Sequence, residues 1–443
     1  MQSGPIRILL TPWHFLNRIY PFAGLAHELK KRGHEVAFYT GEAARPIVEG
    51  EGFPCFPFQQ VNEAEVDYVV ENLIAESAGR RRSKELRHWW HEYLLKTVPG
   101  QLGDLEKIIR DWRPDVLVCD VAMWGPILVM YEKTGIPVAL FPHLAYCLLP
   151  GPDGGFPGIR LPRSRFWPIR LYTRLATKVI GKFVGAVPQE ANKLRASHGL
   201  PPLRASVNEY CGELPLFLIP GAAEFDYSRH DLPPSVHYIG SALWDKNANQ
   251  APPAWLPEIP RDKPVVVVTE EAVFPKEPLM LKMAAAGLAN LPLTVILIAG
   301  PGRDPSKLGI GPVAPNMRLV AQTPLSDLLP ITDLVVTNGN SPTVMATLHA
   351  GIPLVVVPSI FDQSDVAWRV ADNQVGIRIA ASKCTPEQVR GAVETVLAKP
   401  AFKERAQRFS QYVKQAGGAT KGAELVEELA ARTATLRSQA ANR

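Results

Sequence analysis

Residues 337–370 constrain the fold more than any other stretch of this chain. Their sequence, TNGNSPTVMATLHAGIPLVVVPSIFDQSDVAWRV, predicts a strand end, a turn of small polar residues, a helix, a short strand and a loop containing Asp362 and Gln363. A strand that runs through such a turn into a helix places free backbone N–H groups at the positive end of the helix dipole, where anions bind. The stretch therefore predicts a β-α-β unit whose polar turns are either an anion site or ordinary solvent-facing turns.

The rest of the chain repeats this alternation of short apolar strands and helices. An apolar run at residues 6–10 is followed by PFAGLAHELKKRG, which has helical spacing, a proline at its start and Gly33 just past its end. A second alternation starts with four consecutive valines at residues 265–268. Buried runs of this kind between helices predict an α/β fold with parallel sheets.

A proline-rich segment separates the two alternations. Residues 246–263, KNANQAPPAWLPEIPRDK, have no periodicity that would form a helix or strand, which is typical of a linker. We therefore predict an N-terminal domain at 1–245, a C-terminal domain at 264–417, and a last helix at 418–443 that packs back on the N-terminal domain. Two domains joined in this way imply a ligand in the cleft between them.

Composition argues against several classes of protein. The chain has 443 residues and a net charge of +5, and it has neither a run of five Lys/Arg nor a basic stripe interleaved with aromatics, so we expect no nucleic-acid or membrane partner. Five widely spaced cysteines without a CxxC pair argue against a disulfide framework or a zinc site and fit a reducing cytoplasm. No apolar run reaches the roughly 18 residues of a membrane span, and the N-terminus does not resemble a signal peptide. The expected location is the cytoplasm.

Three segments carry a resemblance to a known family: PFAGLAHELKKRGHEVAFYT at 21–40, PPSVHYIGSALWD at 233–245 and HAGIPLVVVPSIFDQSDVAWRV at 349–370. Over nearly its whole length the chain resembles the GT-B nucleotide-sugar glycosyltransferases, specifically bacterial enzymes that glycosylate macrolides and other natural products. The resemblance implies two Rossmann-like parallel-sheet domains facing across a cleft. It also implies a UDP- or TDP-sugar on the C-terminal domain, a small hydrophobic acceptor on the N-terminal domain, and no metal or cofactor. A homodimer is left open.

The resemblance also implies an inverting displacement, in which a histidine oriented by an aspartate removes the proton of the acceptor hydroxyl. The position of that histidine falls on Arg18, which stays protonated and cannot act as a base. Asp120, after the run VLVC, matches the orienting aspartate. His14, in the same loop, is either a replacement base or an ordinary loop histidine.

The implied donor site departs from the family pattern at several positions. Gln322 stands where the family has an aromatic residue that stacks on the nucleobase, a contact worth about 1–3 kcal/mol. Asn338 replaces a phosphate-binding histidine, Ala346 replaces a ribose-binding glutamate, and Glu271 adds negative charge near the diphosphate. The implied donor-binding residues are Thr269, Glu270, Gln322, Asn338, Gly339, Asn340, Ser341, Thr343, Asp362 and Gln363.

The candidates for the acceptor pocket are Trp90, Trp124, Phe141 and His143, although each aromatic residue alone is as well explained by core packing. The first hypothesis is sugar transfer to a hydroxyl of a hydrophobic natural product. The alternative is a GT-B homologue that no longer uses nucleotide sugars and serves as an auxiliary protein or a repurposed enzyme, for example in acid–base cyclisation or rearrangement. The fold and the intact Asp362-Gln363 pair favour transfer. The simultaneous departures at Arg18, Gln322, Asn338 and Ala346 favour the alternative.

Overall fold

The computed structural model describes residues 4–77, 90–142, 153, 167–169, 171–172, 175–176, 187–204, 206–242, 244, 252–270, 278–300, 303–359 and 362–441, with the backbone alone at 73–77, 90, 187–188 and 441. The chain divides into two compact units. The first comprises Met1–Pro220, Ser228–Leu243 and Gly417–Arg443, and the second comprises Gly221–Tyr227 and Trp244–Ala416. Gly221–Tyr227 precedes the predicted boundary at residue 245 but lies in the second unit.

Each unit is built on a parallel sheet. In the first unit the strands are β1 (Arg7–Thr11), β2 (Glu35–Thr40), β3 (Cys55–Pro57), β4 (Val116–Cys119), β5 (Val138–Leu140), β6 (Leu216–Ile219) and β7 (Val236–Tyr238). Their order is β3-β2-β1-β4-β5-β6-β7. In the second unit the strands are β8 (Val265–Thr269), β9 (Thr294–Ile298), β10 (Met317–Val320), β11 (Leu334–Thr337), β12 (Leu354–Val356) and β13 (Gly376–Arg378), in the order β10-β9-β8-β11-β12-β13. The predicted α/β fold with two parallel sheets is confirmed.

Helices connect these strands. The α-helices with defined bounds are α1 (Leu16–Lys31), α2 (Arg45–Gly50), α3 (Glu63–Ser77), α4 (Val98–Trp112), α5 (Tyr131–Thr134), α6 (Val187–Ser197), α7 (Val207–Glu213), α8 (Leu279–Gly287), α9 (Leu325–Leu328), α10 (Ser341–His349), α11 (Gln363–Asp372), α12 (Pro386–Ala398), α13 (Pro400–Gln415) and α14 (Gly418–Ala441). Trp90–Leu95 and Pro126–Met130 form π-helical turns. Short 3-10 turns lie at Glu42–Ala44, Leu256–Glu258, Pro305–Lys307, Leu329–Ile331 and Ala381–Lys383.

Helix α1 is longer than its sequence pattern predicts. The pattern places a proline at the helix start, but the helix begins at Leu16 and carries Pro21 inside it. Pro21 therefore has no N–H to donate to the carbonyl of Asn17, and the neighbouring turns hold the helix. Gly33 has φ +93 just past the C-terminus, a conformation that a glycine adopts without strain. The added N-terminal turn places Arg18 on the helix.

The last helix, α14, belongs to the core of the first unit. Its residues Leu425, Val426 and Leu429 are buried together with Leu25 and Leu29 of α1 and the apolar face of the sheet. Burying aliphatic side chains of this size stabilises a fold by about 1.5–3 kcal/mol each, so this helix is an integral part of the unit. In the described part of the chain, no helix is long and apolar enough to cross a membrane.

Candidate active site

Arg18 and Asp120, 102 positions apart in sequence, form an ion pair at the carboxyl edge of the first sheet. Strands β1 and β4 pair with Thr11 beside Cys119, so the loops that follow them meet at this edge. The Nη1 atom of Arg18 donates to Oδ1 and Oδ2 of Asp120 at 2.7 and 2.8 Å. The carboxylate of Asp120 is fully buried, and its Oδ1 also accepts from the N–H of Ala122 at 2.8 Å. An ion pair with a permanent cation therefore stands where the resemblance places a His–Asp dyad.

His14 does not lie against Asp120 in this arrangement but pairs with acidic residues of α3. Its Nε2 is 2.7 Å from Oδ1 of Asp67, and its Nδ1 is 3.7 Å from Oε1 of Glu63. The Nδ1 atom is buried and makes no hydrogen bond to any described residue. Glu63 also accepts from the N–H groups of Glu42 and Ala43. As placed, the imidazole fastens α3 to the loop after β1.

Tyr93 is fully buried near the Arg18–Asp120 pair. Its ring centroid is 5.1 Å from that of Trp13. Burial raises the pKa of the Tyr93 phenol well above its ordinary value; Arg18 lowers it, while Asp120 and Asp67 raise it further. The phenol therefore stays protonated at neutral pH and does not act as a base.

Two of the aromatic residues expected in an acceptor pocket are core residues. Phe141 is fully buried, with its ring 5.0 Å from that of Phe22. Trp124 is 2% exposed, and its indole N–H donates to the carbonyl of Val121. The core-packing explanation therefore holds for both rings, because neither is accessible to a ligand. The side chain of Trp90 and all of His143 lie outside the described residues.

The predicted donor residues gather at the carboxyl edge of the second sheet. Strands β8 and β11 pair with Thr269 beside Thr337, so Glu270 and the turn 338–340 leave neighbouring strands. Gly339 has φ +87, and a Cβ atom there would lie 2.7 Å from Cγ1 of Val356 and 3.3 Å from the carbonyl oxygen of Gln363. Only a glycine fits this position. Close contact with the glycine places Gln363 beside the turn.

Helix α10 begins directly after this turn and has a buried, unsatisfied hydroxyl at its start. The first residue, Ser341, is 2% exposed, and its Oγ has no hydrogen-bond partner among the described residues. Pro342 lies in the first turn, where an N–H would have no intrahelical acceptor, so the proline costs the helix nothing. The side chain of Asn340, at the N-cap position, does not cap the helix. This helix start retains the donors and the dipole of an anion site.

The other predicted donor residues differ in environment. Asn338, Thr269 and Thr343 are buried, whereas Gln322 is exposed. Asp362 is buried at the N-cap of α11, and the Oε1 atom of Gln363 accepts from both the N–H and the hydroxyl of Ser359, at 2.9 and 2.8 Å. The structure thus brings the turn 338–340, the start of α10 and the start of α11 together.

Glu270 has a structural role that its sequence position does not reveal. Its carboxylate accepts from the N–H of Leu281 at 3.0 Å and so caps α8. Burial raises the pKa of Glu270, while the N–H groups of Leu281 and Met280 and the charge of Arg303 oppose the rise. Arg303 also donates to the carbonyl of Glu270. Sequence reasoning missed Arg303, since its only signal is a basic residue in a Gly-rich turn after a strand.

Among the described residues no group of three or more His, Cys, Asp or Glu side chains is arranged to hold a metal ion. The buried hydrogen-bond donors at the carboxyl edges of the two sheets are hydroxyl, amide and guanidinium groups instead. Such groups bind anions and sugar hydroxyls.

Two domain families match separate parts of the chain. Residues 22–211 match a glycosyl transferase 4-like domain, and residues 293–431 match the C-terminal domain of erythromycin biosynthesis protein CIII-like proteins. The chain is 28% identical over 425 residues to 4'-demethylrebeccamycin synthase of Lentzea aerocolonigenes, covering 96% of this chain and 99% of the relative.

Solved structures share the fold. The kitacinnamycin glycotransferase aligns with a TM-score of 0.75 at 19% identity. The alignment covers 96% of this chain and 100% of the glycotransferase chain. SsfS6 of Streptomyces sp. SF2575, complexed with thymidine diphosphate, aligns with a TM-score of 0.66 at 19% identity and covers 96% of this chain and 99% of its own. The chain has the GT-B fold, and the proteins that it resembles in sequence and structure are natural-product glycosyltransferases.

Proposed function

We propose that this protein transfers a sugar from a nucleoside-diphosphate sugar, with UDP or TDP as the nucleotide, to a hydroxyl of a small hydrophobic natural product. The observation that carries the proposal is the turn of Gly339, which leads into α10, where the buried Ser341 hydroxyl has no hydrogen-bond partner in the part of the chain that the structure describes. Gly339 lets the turn pack against Val356 and Gln363 at positive φ, and the N–H groups of the helix start that follows are the kind that bind a phosphate. The thymidine diphosphate complex of the structural relative SsfS6 agrees with this choice of ligand.

In the proposed complex the diphosphate lies against the start of α10. The helix dipole and the N–H groups of the first turn stabilise the charge that develops on the leaving diphosphate, so the reaction needs no metal or cofactor. Asp362 and Gln363, at the start of α11, hold the sugar hydroxyls. Because Gln322 offers no aromatic ring for stacking, we expect weaker nucleotide binding than an aromatic residue would allow.

The acceptor oxygen bonds to the anomeric carbon from the face opposite the diphosphate as the bond from that carbon to the diphosphate oxygen breaks, which inverts the centre. The proton of the acceptor hydroxyl passes to solvent water. Arg18 and Asp120 enter this scheme as an ion pair that shapes the acceptor side, and not as a base dyad. His14 keeps α3 in place through Asp67. The proposal therefore assigns proton removal to neither Arg18 nor His14.

Calorimetric titration of the full chain with UDP, TDP and their glucose forms tests the proposal. We expect binding that weakens at least tenfold in Asn338→Ala and Asp362→Ala, because each removes a polar contact to the donor. Exposed Arg390→Gln is the matched control and should bind like the wild type. Failure of the wild-type protein to bind any of these nucleotides at millimolar concentration would refute the proposal.

The Arg18–Asp120 ion pair favours a second candidate, a GT-B homologue that no longer uses nucleotide sugars and acts as an auxiliary protein or in a rearrangement of a natural-product intermediate. In that case the chain would bind a hydrophobic intermediate without binding UDP or TDP. The same titrations, repeated with hydrophobic aglycones, separate the two candidates.

A further inference from the structure

Arg303 lies at the same edge of the second sheet as the turn 338–340. Its Nη1 atom donates to the carbonyl of Ala299 at 2.9 Å and to that of Glu270 at 3.1 Å. These two residues follow β9 and β8, and β8 lies between β9 and β11. The guanidinium is therefore held at the end of β8, the strand next to β11, which the Gly339 turn follows.

The guanidinium of Arg303 has unused hydrogen-bonding capacity. Its Nη2 atom is buried and has no hydrogen-bond partner among the described residues. The nearby carboxylate of Glu270 is directed at the N–H of Leu281 instead. A buried donor without an acceptor costs free energy that a bound acceptor recovers.

Arg303 also carries a charge that no described carboxylate pairs with. Burial lowers the pKa of Arg303 and the charge of Glu270 raises it, but an arginine side chain keeps its proton in proteins. The side chain as a whole is half-buried, so its charge is only partly screened by water. A partly desolvated cation at a ligand-binding edge attracts an anion.

We propose that Arg303 is the cationic side chain of the donor site and binds a phosphate oxygen of the nucleoside diphosphate through Nη2, while Nη1 remains on the two carbonyl groups. The inference rests on the proposed function. It names the side chain that supplies positive charge to the donor site. Asn338 is neutral, so the turn that leads into α10 brings no charged side chain to the phosphates. The planar guanidinium suits this role because its N–H groups match the geometry of phosphate oxygens.

The purely structural explanation is that Arg303 only fastens the ends of β8 and β9 through their carbonyl groups. That role predicts a loss of stability on substitution and no selectivity among ligands. The proposed role predicts a loss that grows with the number of phosphates on the ligand. A lysine at this position keeps the charge but loses the planar pair of donors, so it should recover part of the binding.

The test compares wild type, Arg303→Gln, Arg303→Lys and the control Arg390→Gln by calorimetric titration at one ionic strength. The ligands are TDP, TMP, thymidine and inorganic pyrophosphate, and circular dichroism checks that each variant is folded. Charge-assisted hydrogen bonds are worth about 1.5–3 kcal/mol, so we expect Arg303→Gln to bind TDP about ten- to a hundredfold more weakly. Binding of thymidine should not change, and Arg303→Lys should lie between wild type and Arg303→Gln.

Equal affinity of wild type and folded Arg303→Gln for both TDP and pyrophosphate would overturn the inference and leave the proposed function standing. Arg303-dependent binding of pyrophosphate without any binding of TDP would support an anion site at Arg303 and refute the nucleotide-sugar donor. Failure of the wild type to bind either ligand would overturn both. Loss of thymidine and TDP binding by the same factor in Arg303→Gln would establish the structural explanation instead.

Discussion

Arg18 holds both carboxylate oxygens of Asp120 through a single nitrogen, at 2.7 and 2.8 Å, and this pair replaces the expected histidine–aspartate dyad. The consequence is chemical, because a guanidinium neither accepts a proton at neutral pH nor leaves its partner carboxylate available as a strong base. The rest of the site retains an anion-binding helix start and the Asp362-Gln363 pair. The second sheet thus ends in a helix start suited to an anion, whereas the first sheet carries an ion pair where the resemblance implies a base.

Substituting Arg18 by histidine should restore a base next to Asp120. General-base catalysis contributes about 10²–10⁴-fold, so Arg18→His should transfer sugar to a simple hydroxyl acceptor at least tenfold faster than Arg18→Gln, which removes the charge without adding a base. The rate should rise with pH through a value above the ordinary histidine pKa of about 6.5, because the neighbouring carboxylate of Asp120 favours the protonated imidazole. Product formation followed against pH checks this. If both variants lose activity relative to wild type, Arg18 itself takes part in the reaction.

Substituting His14 by alanine should lower stability and leave transfer unchanged. The imidazole fastens α3 through its 2.7 Å contact with Asp67, and its Nδ1 atom is buried beside Glu63. A lower thermal midpoint with an unchanged transfer rate per folded molecule is the expected result. A rate drop of about 10²-fold or more, with nucleotide binding intact, would instead identify His14 as the relocated base.

Adding one methyl group at Gly339 should disable the donor turn. The Cβ atom of Gly339→Ala would lie 2.7 Å from Cγ1 of Val356, at a φ of +87 that alanine adopts only with strain. We expect nucleotide binding to be lost and stability to fall by about 1–3 kcal/mol. Gly391→Ala is the control, since it lies within α12 with nothing within 4 Å and should stabilise by up to about 1 kcal/mol. Titration and chemical denaturation measure both effects.

Removing one partner of the ion pair between Arg369 and Asp226 should destabilise the protein strongly, whereas replacing both partners with apolar residues should destabilise it little. Both side chains are 1% exposed, with Nη2 and Oδ1 only 2.6 Å apart, and the guanidinium also lies over the ring of Tyr227. Arg369→Met leaves a buried carboxylate without its partner and should destabilise the second unit by about 3–5 kcal/mol. The double variant Arg369→Met, Asp226→Leu should recover most of that loss. Urea denaturation provides the comparison, and a double variant no more stable than the single one would contradict it.

The contact of α14 with the segment between α1 and β2 should weaken in acid. Hydrogen bonds from Arg32 lower the pKa of Glu427 to about 2, assisted by His34 and opposed by burial. Because the folded pKa lies below the unfolded value of about 4.3, this contribution is present above that value and is lost as pH falls toward 2. Two pH values, about 6 and about 3, lie on either side of the unfolded-state pKa of about 4.3. The stability difference between wild type and Glu427→Gln should therefore be larger at about pH 6 than at about pH 3. Urea midpoints at the two pH values measure it, and a constant difference would contradict the assignment.

Sequence patterns predicted strands and helix starts well where a few consecutive residues determine the element. The valine run at 265–268 became β8, and the small-residue turn before 341 became the start of α10. Helix α1 departs from its pattern, since its first turn precedes Pro21 by five residues. A proline predicts a helix start only when no other interaction holds the preceding turn, and here the loop after β1 and the partner of Arg18 do so.

Side-chain roles depended on neighbours that are remote in sequence. Phe141 and Trp124 are aromatic residues near strand ends, a pattern equally typical of pockets and cores, and only packing shows that they are buried. Glu270 caps α8, which its own segment does not reveal. Arg303 bonds to a carbonyl 33 positions away, so no local motif indicates its location.

By itself, the sequence determined the parallel α/β architecture, the family and the glycine-containing turn before α10, because strand burial, helix periodicity and left-handed turns depend on residues that are close along the chain. Only the tertiary structure decided which charges meet. Asp120 and Arg18 come together because β1 and β4 are adjacent in the sheet, and the same packing turns His14 toward α3. Ion pairing and desolvation act over a few ångströms in space, and that distance has no fixed relation to separation in sequence.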